Sequence, residues 1–304
     1  MYSLIDTPAY KAHFSGHETF PLRQMWLKKA IDHAARAKSL NKKPFSEESA
    51  IAELGVGKNM VASIRHWSVA CNVLNESSLE PELLGSTLFA EGGKDPYAED
   101  ISTIWLIHWQ LAGIAKRSTT WYWLFNRVTS PTFKREDLIK PITEYAGQRL
   151  AKPLSPTSLK RDIEVCIRGY VAQSGSDSPE DAAEPMLAEL DLITEVDKNI
   201  YAFRRGPKST LADEIFAYAL VDFWSRHSPD LPTLSFEAIA YGEGSPGRVF
   251  KMDEDSIAER LFKLHVLTAD KLTWSDSAGV RQVFRKVLDL DTLKRSLLGQ
   301  YYGV

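Results

Sequence analysis

Two glycines, Gly55 and Gly57, interrupt an otherwise helical stretch, and this interruption most strongly constrains how the chain folds. Before them, Ser46 is suited to cap a short helix with one apolar face. After them, a longer helix is predicted over residues 59–74. A short helix, a glycine turn and a longer helix are typical of a helix-turn-helix. The alternative is a helix pair that serves only for packing.

In a DNA-binding helix-turn-helix, the second helix carries the side chains that meet the nucleic acid. The residues expected on its outer side here are Lys58, Asn59, Arg65 and His66. Lysine and arginine contact phosphates or guanine edges, and asparagine pairs with adenine. We therefore take these four residues as a candidate DNA-contact set.

The pattern recurs further along the chain. Helices are predicted over residues 133–150 and 156–170, and a β-hairpin over residues 192–203. Two helices followed by a hairpin are typical of a winged helix. The second helix and the end of the hairpin supply further candidate DNA contacts: Lys160, Arg161, Arg168, Arg204 and Arg205.

A third copy is predicted from a helix over residues 236–241, a helix over residues 253–265 and a hairpin over residues 272–285. Arg248, in the glycine-rich connection between its helices, is the last candidate DNA contact. The predicted fold is thus mainly α with small β-hairpins, with multiple winged-helix units around a tryptophan-rich helical middle. We expect an N-terminal domain over residues 1–130 and a C-terminal domain over residues 131–304.

The four tryptophans of the helical middle allow two interpretations. Trp105, Trp109, Trp121 and Trp123 follow one another closely. Aromatic side chains stack on nucleobases, but such spacing is more typical of a helical core.

Composition narrows the class of protein. The chain has 304 residues, of which 44% are hydrophobic and 25% charged, as in ordinary globular proteins. It has no apolar stretch of the ~18 residues that a membrane-spanning helix needs and no secretory signal. The two cysteines, Cys71 and Cys166, are too few for a disulfide scaffold or a cysteine zinc site and fit a reducing cytoplasm.

Charge alternates in blocks. Residues 11–71 carry ten Lys/Arg against five Asp/Glu, and residues 116–173 carry eleven against five. Residues 76–115 and 174–200 are strongly acidic. Such blocks place opposite fields on one molecule, unless they pair with one another and cancel.

Between Phe14 and Pro21 a histidine and a carboxylate lie just before a helix predicted over residues 21–38, and an arginine lies in its first turn. His17 could shuttle a proton, Glu18 could hold a metal or act as a base, and Arg23 could stabilise phosphorane charge. These three are the candidate catalytic residues. The alternative is that they cap and pack the start of the helix.

The sequence assigns no metal site. Asp95, Glu99 and Asp100 could bind Mg²⁺ through their oxygens, although a solvated acidic loop is the simpler interpretation. If the chain is catalytic, Mg²⁺ or Mn²⁺ is the expected cofactor, and no organic cofactor is indicated.

Several motifs together resemble one bacterial family of unknown function found in DNA phosphorothioation operons, whose characterised type is the nicking subunit of a single-strand phosphorothioation defence system (SspB-like). The motifs that carry the resemblance are Phe14–Arg23, Leu54–Val61, Ser63–Trp67, Asp95–Tyr97, Thr119–Asn126, Leu159–Asp162 and Gly244–Phe250. They are spread over most of the chain.

The resemblance implies a protein that engages or nicks DNA so that sulfur can enter the backbone. It implies three protein partners: a cysteine desulfurase, an ATPase and an ATP-pyrophosphatase-like sulfur-transfer protein. Two hypotheses follow. The first is a nicking endonuclease acting on duplex DNA, dependent on Mg²⁺. The second is a non-catalytic DNA-binding adaptor or transcriptional regulator that recruits the modification enzymes; winged helices also serve as protein scaffolds. A homodimer would suit a symmetric DNA site.

Overall fold

The structure is a computed structural model that describes residues 3–171, 185–277 and 279–303, with only the backbone for residues 47–49. Within these ranges the chain is mainly α-helical with two small antiparallel sheets of three strands each, which confirms the predicted fold class in outline. The acidic segment 174–184 lies outside the described residues, as does Ala278 in the predicted turn of the last hairpin. The predicted boundary at residue 130 stays a prediction.

Three helices form the N-terminal part: α1 (Trp26–Ser39), α2 (Glu47–Leu54) and α3 (Lys58–Ala70). Gly55 ends α2 with a left-handed φ of 65°, which glycine adopts without steric cost. The predicted short helix, glycine turn and longer helix are therefore present. The α3 helix ends earlier than expected because Asn72 takes a φ of 51° and turns the chain toward a bridge between Leu74 and Pro81.

The tryptophan-rich middle consists of α4 (Ile101–Trp109) and α5 (Thr119–Arg127), with π-helical turns at Gly85–Phe89 and Gln110–Ile114. Trp105, Trp109 and Trp121 are fully buried, so the core interpretation of this stretch is confirmed for them. Trp109 donates its indole N–H to the buried carboxylate of Asp222 at 3.0 Å, which satisfies the ring's polar atom.

The first sheet is built on two helices. The elements are β1 (Thr132–Phe133), α6 (Arg135–Arg149), α7 (Pro156–Arg168), β2 (Ile193–Asp197) and β3 (Ile200–Phe203). The strand order is β1-β3-β2, with all neighbours antiparallel. The predicted helices and hairpin are present, whereas β1, at two residues, was too short to predict.

The second sheet repeats this order as β4-β6-β5, again antiparallel. Its elements are α8 (Asp213–His227), β4 (Thr233–Ser235), α9 (Phe236–Tyr241), α10 (Pro246–Val249), α11 (Glu254–Leu267), β5 (Leu272–Ser277) and β6 (Val280–Arg285). The last helix, α12 (Leu290–Tyr302), packs along α8, and its Lys294 reaches Asp222 at 3.1 Å. In the part of the chain that the structure describes, no helix is both long and apolar enough to cross a membrane.

Candidate catalytic and nucleic-acid site

A cavity of about 290 Å³ opens where the segment before α1 meets the α2–α3 pair. We call it the α3 cavity. It brings together residues that are far apart in the sequence: Gly16, Glu18, Phe45, Ile51, Lys58, Val61, Ala62, Arg65, His66, Val69 and Arg117. One candidate catalytic residue, Glu18, and three candidate DNA contacts, Lys58, Arg65 and His66, therefore share one cavity.

The outer side of α3 is as predicted for three of its four candidate DNA contacts. Lys58, Asn59 and Arg65 are exposed, and Lys58 and Arg65 also line the α3 cavity. The expected outward position was wrong for His66, which is only 5% exposed, and its role as a DNA contact stays a prediction. The reason is that α3 is covered on two sides, because Ser63 donates a hydrogen bond to the carbonyl of His17 at 3.0 Å and holds the 14–20 segment against it.

His66 is the unusual residue of this cavity. It is buried, and neither of its ring nitrogens has a hydrogen-bond partner. Buried polar groups are almost always paired, so the unpaired imidazole of His66 at this cavity wall is the group of the site that most needs a functional explanation. Burial lowers the pKa of His66 well below its usual 6.5, with help from the neighbouring His17 and Arg117. The imidazole is therefore neutral at pH 7, with a nitrogen lone pair able to accept a hydrogen bond.

Gly16 makes room for that ring. Its φ is 108°, and a Cβ atom at this position would lie 2.6 Å from Nδ1 of His66. Two facts therefore favour glycine here: the backbone conformation and the close approach of the His66 ring. Gly16 thus determines both the path of the backbone and the space available at the cavity wall.

His17 lies behind the cavity rather than in it. Its Nε2 donates to Asp162 Oδ1 at 2.7 Å, and its Nδ1 accepts the backbone N–H of Thr19 at 3.2 Å. Thr120 donates its hydroxyl to the other Asp162 oxygen at 2.5 Å. His17 and Asp162 are both buried. Because both of its nitrogens are engaged, His17 is placed to position its neighbours.

The other two candidate catalytic residues differ in their position relative to the α3 cavity. Glu18 is exposed, takes a left-handed φ of 48° and lines the cavity. Arg23 does not line it; its guanidinium lies 5.9 Å from the ring centroid of Phe20 and 5.5 Å from that of Trp26. Such stacking fits the packing alternative for Arg23.

Three residues of this site were not singled out from the sequence. Arg117 lines the cavity, pairs with Glu76 at 2.6 Å and keeps a buried Nε without a partner. Asp162 and Thr120 hold His17. The last two lie inside motifs that carry the family resemblance, which was the available signal, but a motif alone gives no contact between distant residues.

The remaining candidate DNA contacts are spread over the molecule. Lys160 and Arg161 are exposed on α7, directly before the Asp162 that holds His17, and Arg168 is half-buried in the last turn of that helix. Arg204 pairs with Asp191 at 2.6 Å, and Arg205 is exposed.

Arg248 is partly committed to the fold, because its Nη1 donates to the carbonyl of Asn126. The structure does not bring it, or the arginines at the end of the hairpin, into the α3 cavity.

The acidic loop considered as a metal site is a structural turn. Asp95 is buried and accepts the backbone N–H groups of Glu99 and Asp100, at 2.9 and 3.2 Å. Asp100 in turn caps α4 by accepting the N–H of Ser102. Among the described residues, no group of three or more histidines, cysteines and carboxylates could hold a metal ion.

The profile of a family described as "Protein of unknown function (DUF4007)" matches residues 14–302. The chain belongs to this family. No curated protein matches it.

Two solved structures are similar over almost the whole chain. One, described as "Magnesium ion-bound SspB crystal structure", has a TM-score of 0.86 and 26% identity, covering 99% of this chain and 91% of that one. The other, "SspB crystal structure", has a TM-score of 0.84 and 27% identity, covering 97% and 89%. The chain is thus SspB-like, in agreement with the resemblance in its sequence motifs, and this supports a phosphorothioation-associated protein.

Proposed function

We propose that this protein binds DNA and nicks one strand at the α3 cavity, as a component of a DNA phosphorothioation system. The observation that carries the proposal is the unpaired, neutral imidazole of His66 at a cavity edged by Lys58, Arg65 and Arg117. Cations attract the phosphate backbone, and a neutral histidine is the side chain most often used as a general base.

The proposed reaction is hydrolysis of a phosphodiester bond. His66 takes a proton from a water molecule, the water oxygen bonds to phosphorus, and one ester P–O bond breaks. The leaving oxygen takes its proton from solvent. Lys58, Arg65 and Arg117 would stabilise the negative charge on the phosphoryl oxygens in the transition state. His17, fixed by Asp162, positions the ring of His66 and does not itself move a proton in this scheme.

The proposed reaction assigns no step to a metal ion, and its dependence on Mg²⁺ or Mn²⁺ is left to experiment. One similar structure is magnesium ion-bound, and Mg²⁺ often uses one or two carboxylates together with water and substrate phosphates. Glu18 is the carboxylate that lines the α3 cavity. The described residues offer no preformed cage for a metal, so the steps above use side chains of this chain alone.

We further propose that the two sheet-bearing units are winged helices. Each has a short strand, two principal helices and a hairpin, with the last strand in the middle of the sheet. In that arrangement α7 takes the place of a recognition helix, and its exposed Lys160 and Arg161 would contact phosphates of duplex DNA. The exposed Arg205 would extend this contact. Arg168, Arg204 and Arg248 would do so less freely, because the first is half-buried, the second pairs with Asp191 and the third donates to a backbone carbonyl.

In the cell, the nick would open the backbone so that sulfur can replace a non-bridging phosphate oxygen. The proposed partners are the cysteine desulfurase, the ATPase and the ATP-pyrophosphatase-like sulfur-transfer protein, in the cytoplasm. A homodimer remains part of the proposal for a symmetric target.

A non-catalytic adaptor or regulator is the second candidate. The observation that favours it is the recurrence of the same helix-and-sheet unit, because such units bind DNA or proteins without chemistry of their own. An adaptor would bind DNA, with affinity that falls steeply with salt, and would leave the strands intact.

Plasmid nicking beside a gel shift separates the two candidates. Supercoiled DNA is incubated with wild type in Mg²⁺, Mn²⁺ or EDTA, with and without the partner proteins. Conversion to open circles supports the nickase, and a shift without conversion, even with the partners, supports the adaptor. Lys58→Ala with Arg65→Ala should weaken the shift. Lys271→Ala with Lys286→Ala, at exposed lysines that flank strands β5 and β6, provides a matched control. Absent binding at low salt would contradict both DNA candidates and favour a scaffold.

A further inference from the structure

The segment Asn41–Phe45, between α1 and α2, borders two cavities. Phe45 lines the α3 cavity. A second cavity of about 340 Å³, which we call the α1 cavity, is lined by residues 41–44, by Lys38 at the end of α1 and by residues 78–81. Consecutive residues of one short segment therefore line both cavities.

The segment Asn41–Phe45 is positively charged where it lines the α1 cavity. Lys42 and Lys43 are exposed, and among the described residues neither forms an ion pair with a carboxylate. Lys38 pairs with Glu80 at 2.6 Å, but both side chains are largely exposed, so the pair contributes little and can open for a stronger anion.

Phe45 occupies an unusual backbone conformation. Its φ is 59°, in the left-handed region that large side chains avoid. His33 holds it there, because its Nε2 accepts the Phe45 N–H at 3.0 Å and its ring meets the phenyl ring at 5.0 Å between centroids. The other nitrogen of His33 donates to Glu53 at 2.8 Å. A strained aromatic residue that its neighbours hold at a cavity boundary points to a role beyond packing.

We propose that Asn41–Phe45 is a guide for a single DNA strand. Lys42 and Lys43 contact phosphates next to the one in the α3 cavity, and Phe45 stacks on a nucleobase between them. The ligand is therefore a polynucleotide that is single-stranded beside the nicking position. This inference rests on the proposed function, because it takes the α3 cavity as the place where a phosphate of the same strand binds.

The combination of groups favours a single strand over other ligands. Proteins that hold single-stranded nucleic acid pair a basic groove along the backbone with aromatic side chains on which bases stack. Here both occur within four consecutive residues, which line two neighbouring stretches of concave surface, the α1 cavity and the α3 cavity. A small anion would use the lysines but not the ring, and a duplex would keep its bases from Phe45.

The test measures DNA binding in EDTA, so that cleavage does not interfere. The probe is an oligonucleotide duplex with a single-stranded gap in which one base is 2-aminopurine, read by fluorescence, and a fully paired duplex serves for comparison. Because the double variant Lys42→Ala/Lys43→Ala removes two cations that each neutralise a phosphate, it should reduce the slope of log K against log [salt] by about 1.4 on the gapped probe. The control Lys271→Ala/Lys286→Ala should keep the wild-type slope.

Stacking is tested at Phe45 itself. Phe45→Tyr keeps the aromatic face and should bind like wild type, with 2-aminopurine quenched. Phe45→Leu keeps an apolar side chain without the ring and should bind the gapped probe at least about tenfold more weakly, without quenching. Thermal unfolding of both variants shows whether they are folded. If Phe45→Leu is unfolded, the test rests on the quenching of 2-aminopurine by wild type and Phe45→Tyr.

The outcomes separate this inference from the proposed function. If wild type binds the probe and all variants keep its salt slope and its 2-aminopurine quenching, the guide is wrong and the nickase proposal is unaffected. The expected changes in a protein that never nicks would support the guide and overturn the nickase. Equal affinity for paired and gapped probes with no quenching would also overturn the guide. No binding by wild type would contradict both.

Discussion

The imidazole ring of His66 meets the ring of His17 edge-on, with 5.8 Å between their centroids. His17 is itself fixed on its far side by Asp162 and Thr19. This relationship holds His66 in place by packing alone and leaves both of its nitrogens without partners. The result is a buried imidazole whose position is determined by a neighbour that does not compete for its hydrogen bonds.

That arrangement predicts that replacing His66 lowers activity without lowering stability. His66→Leu removes a buried polar group that has no partner, and unpaired groups of this kind cost about 1–3 kcal/mol. We expect the free energy of unfolding, measured by urea denaturation, to be unchanged or higher, while DNA nicking slows by about 10²–10⁴-fold. A clear loss of stability would show that His66 has a structural partner after all.

The pH dependence of stability follows from the same group. The pKa of His66 lies well below 6.5, so the folded protein keeps it neutral while the unfolded chain binds a proton below pH 6.5. Unfolding therefore becomes easier as pH falls through 6.5 toward 5, by up to about 1.4 kcal/mol per pH unit for each such histidine. His108, whose pKa burial lowers to about 3, acts in the same direction.

The variant His66→Leu isolates the contribution of His66 to this slope. Urea denaturation at several pH values between 7 and 5 should give a shallower fall in the free energy of unfolding for His66→Leu than for wild type. Equal slopes would mean that His66 is protonated in the folded protein as readily as in the unfolded chain.

Gly16 and Gly206 form a matched pair for testing the cavity wall. Their φ values are 108° and 122°, but a Cβ atom at Gly16 would lie 2.6 Å from Nδ1 of His66, whereas one at Gly206 would meet only Asp253 Oδ2, at an ordinary 3.6 Å. Gly206→Ala should cost only the backbone strain, roughly 1–3 kcal/mol. Gly16→Ala should cost more and should also reduce nicking, and equal stability losses with full activity would contradict the close approach.

Asp162 should be required for stability and, through His17, for activity. In Asp162→Ala the N–H of His17 and the hydroxyl of Thr120 lose their shared buried acceptor, which we expect to cost about 2–4 kcal/mol. Asp162→Asn keeps one acceptor oxygen and should cost less. Thermal and urea unfolding of both variants measures the difference, and a fully stable Asp162→Ala protein would refute the network.

Much of the local structure could be predicted from the sequence because it depends on local signals. The glycines at 55 and 57 locate the turn between α2 and α3, and Ser155 with Pro156 locates the start of α7. The hairpins follow from β-branched and aromatic residues on either side of polar turns. Helices α8 and α12 and the short strands β1 and β4 were not predicted, and for the short strands the reason is that their pairing depends on partners far along the chain.

The site could be predicted only in part. The motif around His17 and the helix Lys58–Ala70 were recognised, but nothing in their spacing places them on one cavity. The partner of His17 is 145 residues away, so no local pattern indicates it. The burial of His66 likewise depends on the 14–20 segment covering a face of α3 that helical periodicity alone assigns to solvent.

The most direct test of the central claim compares single-turnover nicking by wild type and His66→Leu at equal DNA occupancy. Gel shifts set protein concentrations at which both bind the same fraction of DNA, with the partner proteins and Mg²⁺ or Mn²⁺ present. Loss of a general base should slow nicking by about 10²–10⁴-fold without changing the salt dependence of binding. A His66→Leu protein that nicks at the wild-type rate would show that His66 is not the base and that strand cleavage takes place elsewhere.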